Sequence, residues 1–236
     1  MLGNRPRSSS DEMDLGTIVH GMLLGSGPSI CVIDAPDWRT KAAQTAREEA
    51  KAAGQLPVLR HKHEAIVATV DAIRGSLWRQ FGIDFSVPEL AKEVTVSWLH
   101  DGTLCRAKID ALKAPLSPLI LELKTCSSAK PEDLSGHIVK MGYDIQAAAY
   151  VDAVESVWPE TAGRVGFAWV FCELEAPYCV TPIEPDAELL ELGRRRWERA
   201  VTTWQRCLAT QVWPGYVTGV ETIGAPKWAL YAEMGT

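Results

Sequence analysis

The strongest constraint on the fold is a short apolar segment that carries two charged residues, residues 119–125 (LILELKT). Its length and composition are typical of a β-strand, and its largely apolar character favours a central place in a sheet. Alternate residues of a strand face opposite sides, so the three leucines predict one core-facing side. Glu122 and Lys124 share the other side, where burying a carboxylate and an ammonium is costly unless they are paired or used.

Two further strands are predicted immediately upstream, over residues 94–99 and 104–112. The Asp101-Gly102 dipeptide between them is a strong signal for a tight hairpin turn. In the second strand the odd positions are small or apolar, so its basic residues share the opposite face with Asp110. This strand therefore brings a carboxylate to the polar side of the sheet.

If the strands over residues 104–112 and 119–125 pair, Asp110 comes close to Glu122 and Lys124. Two carboxylates and a carbonyl oxygen are hard ligands, suited to Mg²⁺ or Mn²⁺ rather than to zinc. Such a metal ion would activate water for attack on a phosphate, and the lysine would orient the water or stabilise the developing charge. The alternative is a buried ion-pair network of the same three side chains, because this spacing is short and common by chance.

The rest of the chain predicts helices and strands in an order typical of an α/β protein with a mixed sheet. The predicted helices cover residues 15–24, 37–53, 61–81, 131–157 and 186–211, and two more strands cover residues 166–173 and 178–182. The length suits a single domain, which we expect to span residues 15–236 after a flexible N-terminal segment, residues 1–14.

The composition limits the function classes that need to be considered. The net charge of −6 does not favour nucleic-acid binding by the molecule as a whole, although a basic groove can lie on an acidic protein. No apolar run approaches the roughly 20 residues that cross a bilayer, and the polar N-terminus lacks the apolar stretch of a secretory signal. We therefore expect a cytoplasmic protein with no membrane association.

The cysteines show no metal-binding or redox spacing, because no two of them form a C-x-x-C motif. Buried free thiols are the expected state, and an iron–sulfur cluster is the alternative. The six residues are Cys31, Cys105, Cys126, Cys172, Cys179 and Cys207.

Several other polar and aromatic residues have a purely structural explanation. His20 lies in an apolar helix, where hydrogen-bonded core histidines are common, and Gln146 and Tyr150 could serve in packing. Residues 194–196, three consecutive arginines, predict a solvated helix face rather than a DNA-binding patch, because consecutive residues spread around a helix. Most of the nine tryptophans are expected in the core, with a few available to stack on bases.

In their order and spacing, several segments resemble the PD-(D/E)XK nucleases, and in particular the RecE-like exonucleases of phages and prophages (exodeoxyribonuclease VIII type). Asp110, followed by Glu122-Leu123-Lys124-Thr125 on an apolar strand, resembles the signature of the superfamily. The other matching segments are residues 16–20 (GTIVH), Glu93 with Trp98, residues 102–110 (GTLCRAKID), residues 142–150 (GYDIQAAAY) and residues 213–216 (WPGY). The resemblance covers roughly residues 15 to 230.

The resemblance implies a restriction-endonuclease-like core, with a central mixed sheet flanked by helices. It implies that Asp110 and Glu122 bind the metal ion together with the carbonyl oxygen of Leu123. Glu93 and His20 would be auxiliary metal ligands or would position a second metal ion. The chain departs from many family members in being acidic and in carrying glutamate, where many have aspartate, before the x-Lys pair.

For catalysis and substrate binding, the resemblance implies that Lys124 is the catalytic lysine. It also implies that Gln146 and Tyr150, which share a helix face at four-residue spacing, line the site and contact DNA together with Thr125.

The function implied by the resemblance is a Mg²⁺-dependent 5′→3′ exonuclease, with Mn²⁺ as a substitute ion. It would hydrolyse phosphodiester bonds of linear double-stranded DNA and expose a 3′ single strand for homologous recombination. The implied partners are double-stranded DNA ends and a single-strand annealing recombinase, and the implied assembly is a ring-shaped homo-oligomer. The alternatives are a structure- or sequence-specific endonuclease on the same core and a non-catalytic DNA-binding module.

Overall fold

The computed structural model describes residues 11–87, 90–114 and 118–234, and it begins with three helices and two short strands. In chain order these elements are α1 (Asp11–Leu24), β1 (Ile30–Ile33), α2 (Lys41–Ala52), β2 (Leu56–Leu59) and α3 (Arg60–Phe81). β1 and β2 pair in parallel as a separate two-stranded sheet. The sequence did not predict this sheet, because runs of four residues are too short to show a strand period.

The segment expected to be flexible comprises residues 1–14. Residues 1–10 lie outside the described part of the chain. Residues 11–14 are helical and belong to α1.

The centre of the fold is a five-stranded mixed sheet. Its strands are β3 (Leu90–His100), β4 (Thr103–Lys113), β5 (Leu119–Cys126), β6 (Gly166–Glu173) and β7 (Val180–Ile183), which lie side by side in that order. β5 and β6 are parallel, and the other neighbouring strands are antiparallel. The predicted α/β class and the central position of the apolar strand, β5, are confirmed.

Of the remaining α-helices, two lie between β5 and β6 and two follow β7. They are α4 (Pro131–Met141), α5 (Tyr143–Val157), α6 (Ala187–Thr210) and α7 (Lys227–Met234). The prediction of one helix over residues 131–157 is wrong, because Gly142 ends α4 in the left-handed conformation with φ at 72°. Only glycine adopts this conformation without steric cost, and the change of direction starts α5 as a new helix.

Hydrophobic cores lie on both faces of the sheet. On one face Leu121 and Leu123 of β5 pack in a cluster with α1 and α3, where Ile73 is fully buried. On the other face Ile120 packs in a cluster with α5 residues such as Ala147. The alternation predicted for β5 is therefore confirmed, and its polar side chains project towards α5.

The chain divides into two compact units, Met1–Glu198 and Arg199–Thr236. The five-stranded sheet lies in the first unit, and the boundary falls within α6. In the second unit the rings of Trp204 and Trp213 are in edge contact, with centroids 5.2 Å apart. The single domain expected over residues 15–236 stays a prediction.

The arginine run on α6 is not a simple solvated face. Arg196 donates to both carboxylate oxygens of Asp144, at 2.7 and 2.8 Å, and the Asp144 side chain is fully buried. Arg194 and Arg195 are more exposed, and Arg195 pairs with Glu191 on its own helix. The prediction is therefore wrong for Arg196, because the fully buried carboxylate of Asp144 on α5 requires a cationic partner.

The expectation that most tryptophans are in the core is also wrong. Trp98 and Trp169 are buried, whereas several others expose half or more of their surface. The exposed ones are Trp78, Trp204, Trp213 and Trp228.

α5 and α6 approach each other closely at Gly193. A Cβ atom at this position would overlap the Asp144 carbonyl group, at 2.7 Å from its carbon, and would lie 3.2 Å from the Cβ of Ala148. Contacts this short require the two helices to separate, because buried backbone cannot move aside as a flexible side chain can.

We expect Gly193→Ala to lower the free energy of unfolding by about 1–3 kcal/mol because of this overlap. Gly136→Ala is the matched control, since Gly136 lies in α4 with no atom near its Cβ position. There the same substitution should raise stability by about 0.5–1 kcal/mol through helix propensity. Urea denaturation measures both changes, and equal effects at the two positions would contradict the close approach of the helices.

Candidate active site

The site is built on the pairing of β4 with β5. Their antiparallel register, with Ala111 opposite Leu121, places Asp110 opposite Glu122. The backbone N–H of Asp110 donates to Oε1 of Glu122 at 3.2 Å, and the N–H of Leu123 donates to Oδ2 of Asp110 at 2.9 Å. The structure thus brings together the two carboxylates predicted from the sequence, and each is held by the other strand's backbone.

Lys124 completes the predicted triad. Its Nζ lies 3.3 Å from Oε2 of Glu122 and 4.6 Å from the centre of the Tyr143 ring, and the lysine side chain is only 16% exposed. A cation over an aromatic face is stabilised by the ring quadrupole. Tyr143 holds the ammonium group beside the carboxylate, a role that the sequence analysis did not assign. Tyr143 lies three residues before Gln146 and so shares a face of α5 with it. This spacing could have indicated from the sequence that Tyr143 lines the site.

α5 supplies the opposite wall of the site. The side-chain amide of Gln146 donates to Oε2 of Glu122 at 2.8 Å. Its Oε1 is buried and has no hydrogen-bond partner among the described residues. Tyr150, one turn further along, donates its hydroxyl to the carbonyl oxygen of Lys108 at 3.1 Å. Gln146 therefore contacts the carboxylate cluster directly, whereas Tyr150 fixes α5 to the backbone of β4.

α1 brings His20 to the same cluster. Its Nδ1 lies 3.6 Å from Oδ2 of Asp110. The helix passes close to the end of β5, because a Cβ at Gly16 would lie 3.0 Å from the hydroxyl of Thr125. His20 is thus beside a predicted metal ligand, and Thr125 lies next to α1. The role of Thr125 in DNA binding stays a prediction.

Glu93 is near the cluster but is engaged elsewhere. In the register of β3 and β4 it falls opposite Asp110, between the pairs formed by Lys92 and by Val94. Its backbone is in the left-handed region, with φ at 54°, which is unusual for a glutamate and costs about 1–3 kcal/mol. Its carboxylate forms an ion pair with Lys108. Its predicted role as an auxiliary metal ligand stays a prediction.

A family model matches almost the whole chain. Residues 2–226 match a family described as a PDDEXK-like domain of unknown function (DUF3799). The chain belongs to this PDDEXK-like family. The PD-(D/E)XK assignment made from Asp110, Glu122 and Lys124 is therefore confirmed, and membership supports a nuclease activity.

One solved structure of similar fold has a TM-score above 0.5. A crystal structure from Eubacterium rectale, described as a “Putative exonuclease”, is 16% identical over 97% of this chain and 82% of its own, with a TM-score of 0.58. The protein SSO0001 is also 16% identical, over 89% of this chain and 98% of its own, but its TM-score of 0.32 is too low to support an argument. No curated protein sequence matches the chain.

The structure also bears on two expectations from composition. No described helix combines the length and the apolar character that crossing a bilayer requires. All six cysteines are free thiols, as expected, but their burial varies, and Cys179 is exposed.

The carboxylate cluster of this PDDEXK-like protein is short of positive charge. Burial, together with the nearby carboxylate of Asp110, raises the pKa of Glu122 to about 7, against the opposing effect of Lys124. Burial also lowers the pKa of His20, although Asp110 opposes this shift. Both shifts have the same origin, since a site with this little solvent disfavours charged groups that lack a full set of partners.

The residues of the cluster fit a hard divalent cation. Within the part of the chain that the structure describes, no group of three or more His, Cys, Asp or Glu side chains is arranged to hold a metal. Asp110 and Glu122 nevertheless supply two carboxylates, and the unpaired Oε1 of Gln146 adds a neutral oxygen nearby. Mg²⁺ commonly binds through one or two carboxylates and retains several waters, so this donor set suits it.

We expect the raised pKa of Glu122 to make stability depend on pH when no metal is added. Between the ordinary glutamate pKa of about 4.3 and about 7, the folded protein keeps a proton that the unfolded chain releases. Stability should therefore fall as pH rises through this window, by on the order of 1–3 kcal/mol.

The neutral variant Glu122→Gln lacks this titration, while His20 is common to both proteins. Urea denaturation from pH 5 to pH 8 should show the variant gaining stability relative to the parent chain as pH rises. A difference that is constant across the range would contradict the raised pKa of Glu122.

Proposed function

We propose that this protein is a Mg²⁺-dependent 5′→3′ exonuclease that degrades one strand of linear double-stranded DNA. The observation that carries the proposal is the cluster of Asp110, Glu122 and Lys124, in which Glu122 accepts from both the backbone of Asp110 and the ammonium group of Lys124. Asp110 is fixed beside it by the backbone N–H of Leu123. Such a cluster is expensive for stability, because its buried charges are only partly compensated. A catalytic use accounts for that cost better than a structural one.

A bound divalent ion would supply activation of a water molecule and neutralisation of charge on the scissile phosphate. Asp110 and Glu122 would hold it, and the backbone N–H of Leu123 keeps Asp110 in its rotamer. Lys124, held over Tyr143, can donate to the attacking water or to the charge that develops on the phosphate. Gln146 orients Glu122 through its amide donor.

The exonuclease form is supported by the resemblance of several segments to RecE-like proteins, among them residues 16–20 and 142–150. The fold of the Eubacterium rectale protein, which is described as a “Putative exonuclease”, is consistent with it. By the same analogy we propose a ring-shaped homo-oligomer that encloses DNA ends. We further propose that the 3′ single strand passes to a single-strand annealing recombinase.

The first test compares a linear duplex, labelled at its 5′ or 3′ ends, with a covalently closed circle of the same sequence. We expect Mg²⁺-dependent release of nucleotides from the linear DNA, early loss of the 5′ label, and no cleavage of the circle. Chelation of divalent ions should abolish release, and Mn²⁺ should restore it. Cleavage of the circle would instead indicate an endonuclease, and DNA binding without hydrolysis would indicate a non-catalytic module.

A second test removes individual catalytic groups. Lys124→Ala and Glu122→Ala should each lower the rate of hydrolysis by at least about 10²-fold, because each removes a group that stabilises charge in the transition state. Lys113→Ala is the matched control, since Lys113 is an exposed residue at the end of β4 outside the cluster. Circular dichroism should show that all three variants are folded. Near-parental rates for Lys124→Ala or Glu122→Ala would remove the assigned mechanism.

A further inference from the structure

The outer face of the β3–β4 hairpin leads directly to the catalytic cluster. On β4 the outward residues are Leu104, Arg106 and Lys108, and the next residue in this alternation is Asp110. Strands rise about 3.3 Å per residue, so the face extends about 20 Å from Asp110 to Leu104. The opposite face of the hairpin packs in the core, as the burial of the intervening residues shows.

β3 contributes the other half of this face, which we call the outer hairpin face. Its exposed residues are Thr95, Ser97 and Leu99 on β3, opposite Lys108, Arg106 and Leu104 on β4.

The middle of the outer hairpin face is cationic. Arg106 is exposed and has no ion-pair or hydrogen-bond partner in the described residues. Lys108, the next outward residue towards the cluster, pairs with Glu93. In a chain with a net charge of −6, an unpaired arginine on the approach to a phosphate-cleaving site is well placed to bind a phosphate group.

The tip of the outer hairpin face is apolar. Leu99 and Leu104 are cross-strand partners and are 67% and 75% exposed. The tight turn at Asp101 and Gly102, both with positive φ, joins the two strands directly beyond them. Two leucines side by side at the end of a rigid ribbon form a small wedge, and apolar wedges can pack against base pairs in protein–DNA complexes.

We propose that the outer hairpin face binds the end of the DNA duplex, with Arg106 on a backbone phosphate and the leucine pair against the terminal bases. This inference rests on the proposed function. The order of residues favours DNA over a second copy of the chain, because the face passes from an apolar tip through an unpaired cation to the catalytic carboxylates. Contact between two copies would bring both Arg106 side chains into the interface, and none of the six exposed residues that define this face is acidic.

The test measures binding of a fluorescent blunt-ended duplex to the full-length Lys124→Ala protein in Mg²⁺, at several salt concentrations. Arg106→Gln should raise Kd about three- to tenfold and lower the slope of log K against log salt by about 0.9, as expected for the loss of one phosphate contact. Leu99→Thr with Leu104→Thr should raise Kd for the open-ended duplex at least about threefold, with an unchanged salt slope. Threonine is chosen because it is favourable in strands.

Lys113→Gln is the matched control for charge. It removes one positive charge from the same strand, but Lys113 is an odd number of residues from Arg106 and so does not share its face. Its Kd should stay within about twofold of the parent value, because it contacts no phosphate.

Three outcomes overturn the proposal. In the first, the parent chain degrades linear DNA but the Arg106 and leucine variants bind it with parental Kd and salt slope. The outer hairpin face then does not bind the duplex end, and the proposed function stands. If the leucine variants change the sedimentation coefficient and leave Kd unchanged, the face is a contact between copies. If the parent chain neither binds nor degrades DNA, both proposals fail.

Discussion

The architecture of the site depends on a reciprocal exchange between two strands, in which each buried carboxylate accepts a backbone N–H from the other strand. Asp110 and Glu122 are like charges in a space with little water, and they would repel each other without compensation. The two backbone donors and the ammonium group of Lys124 offset part of that repulsion. Burial and the repulsion that is not offset together raise the pKa of Glu122 to about 7.

The rest of the fold supports this exchange. α1 covers one side of β5 and brings His20 to Asp110, and α5 covers the other and brings Gln146 to Glu122. The break at Gly142 matters here, because it ends α4 and lets α5 start in its own direction. The cluster is thus reached from two helices that are far apart in sequence.

The strands that carry the carboxylate cluster could be predicted from the sequence, whereas the helix break and the ion pair beside them could not. The alternation of residues 119–125 and the Asp101-Gly102 turn are local signals, so they predicted the faces of β5 and the hairpin correctly. The break at Gly142 was missed because glycine is tolerated inside helices, and its conformation depends on tertiary packing. The pair formed by Lys108 and Glu93 was missed because it depends on one residue with positive φ.

The ion pair between the buried Asp144 and Arg196 has a consequence for how the sequences of related chains differ. Asp144 lies on α5 two residues before Gln146, and Arg196 lies on α6, which supplies no residue to the carboxylate cluster. Loss of Arg196 alone leaves the buried charge of Asp144 uncompensated and disturbs the helix that carries Gln146, and loss of Asp144 alone leaves the partly buried guanidinium group without its partner. Among related chains these two positions should therefore covary: the aspartate and the arginine are kept together or are replaced together.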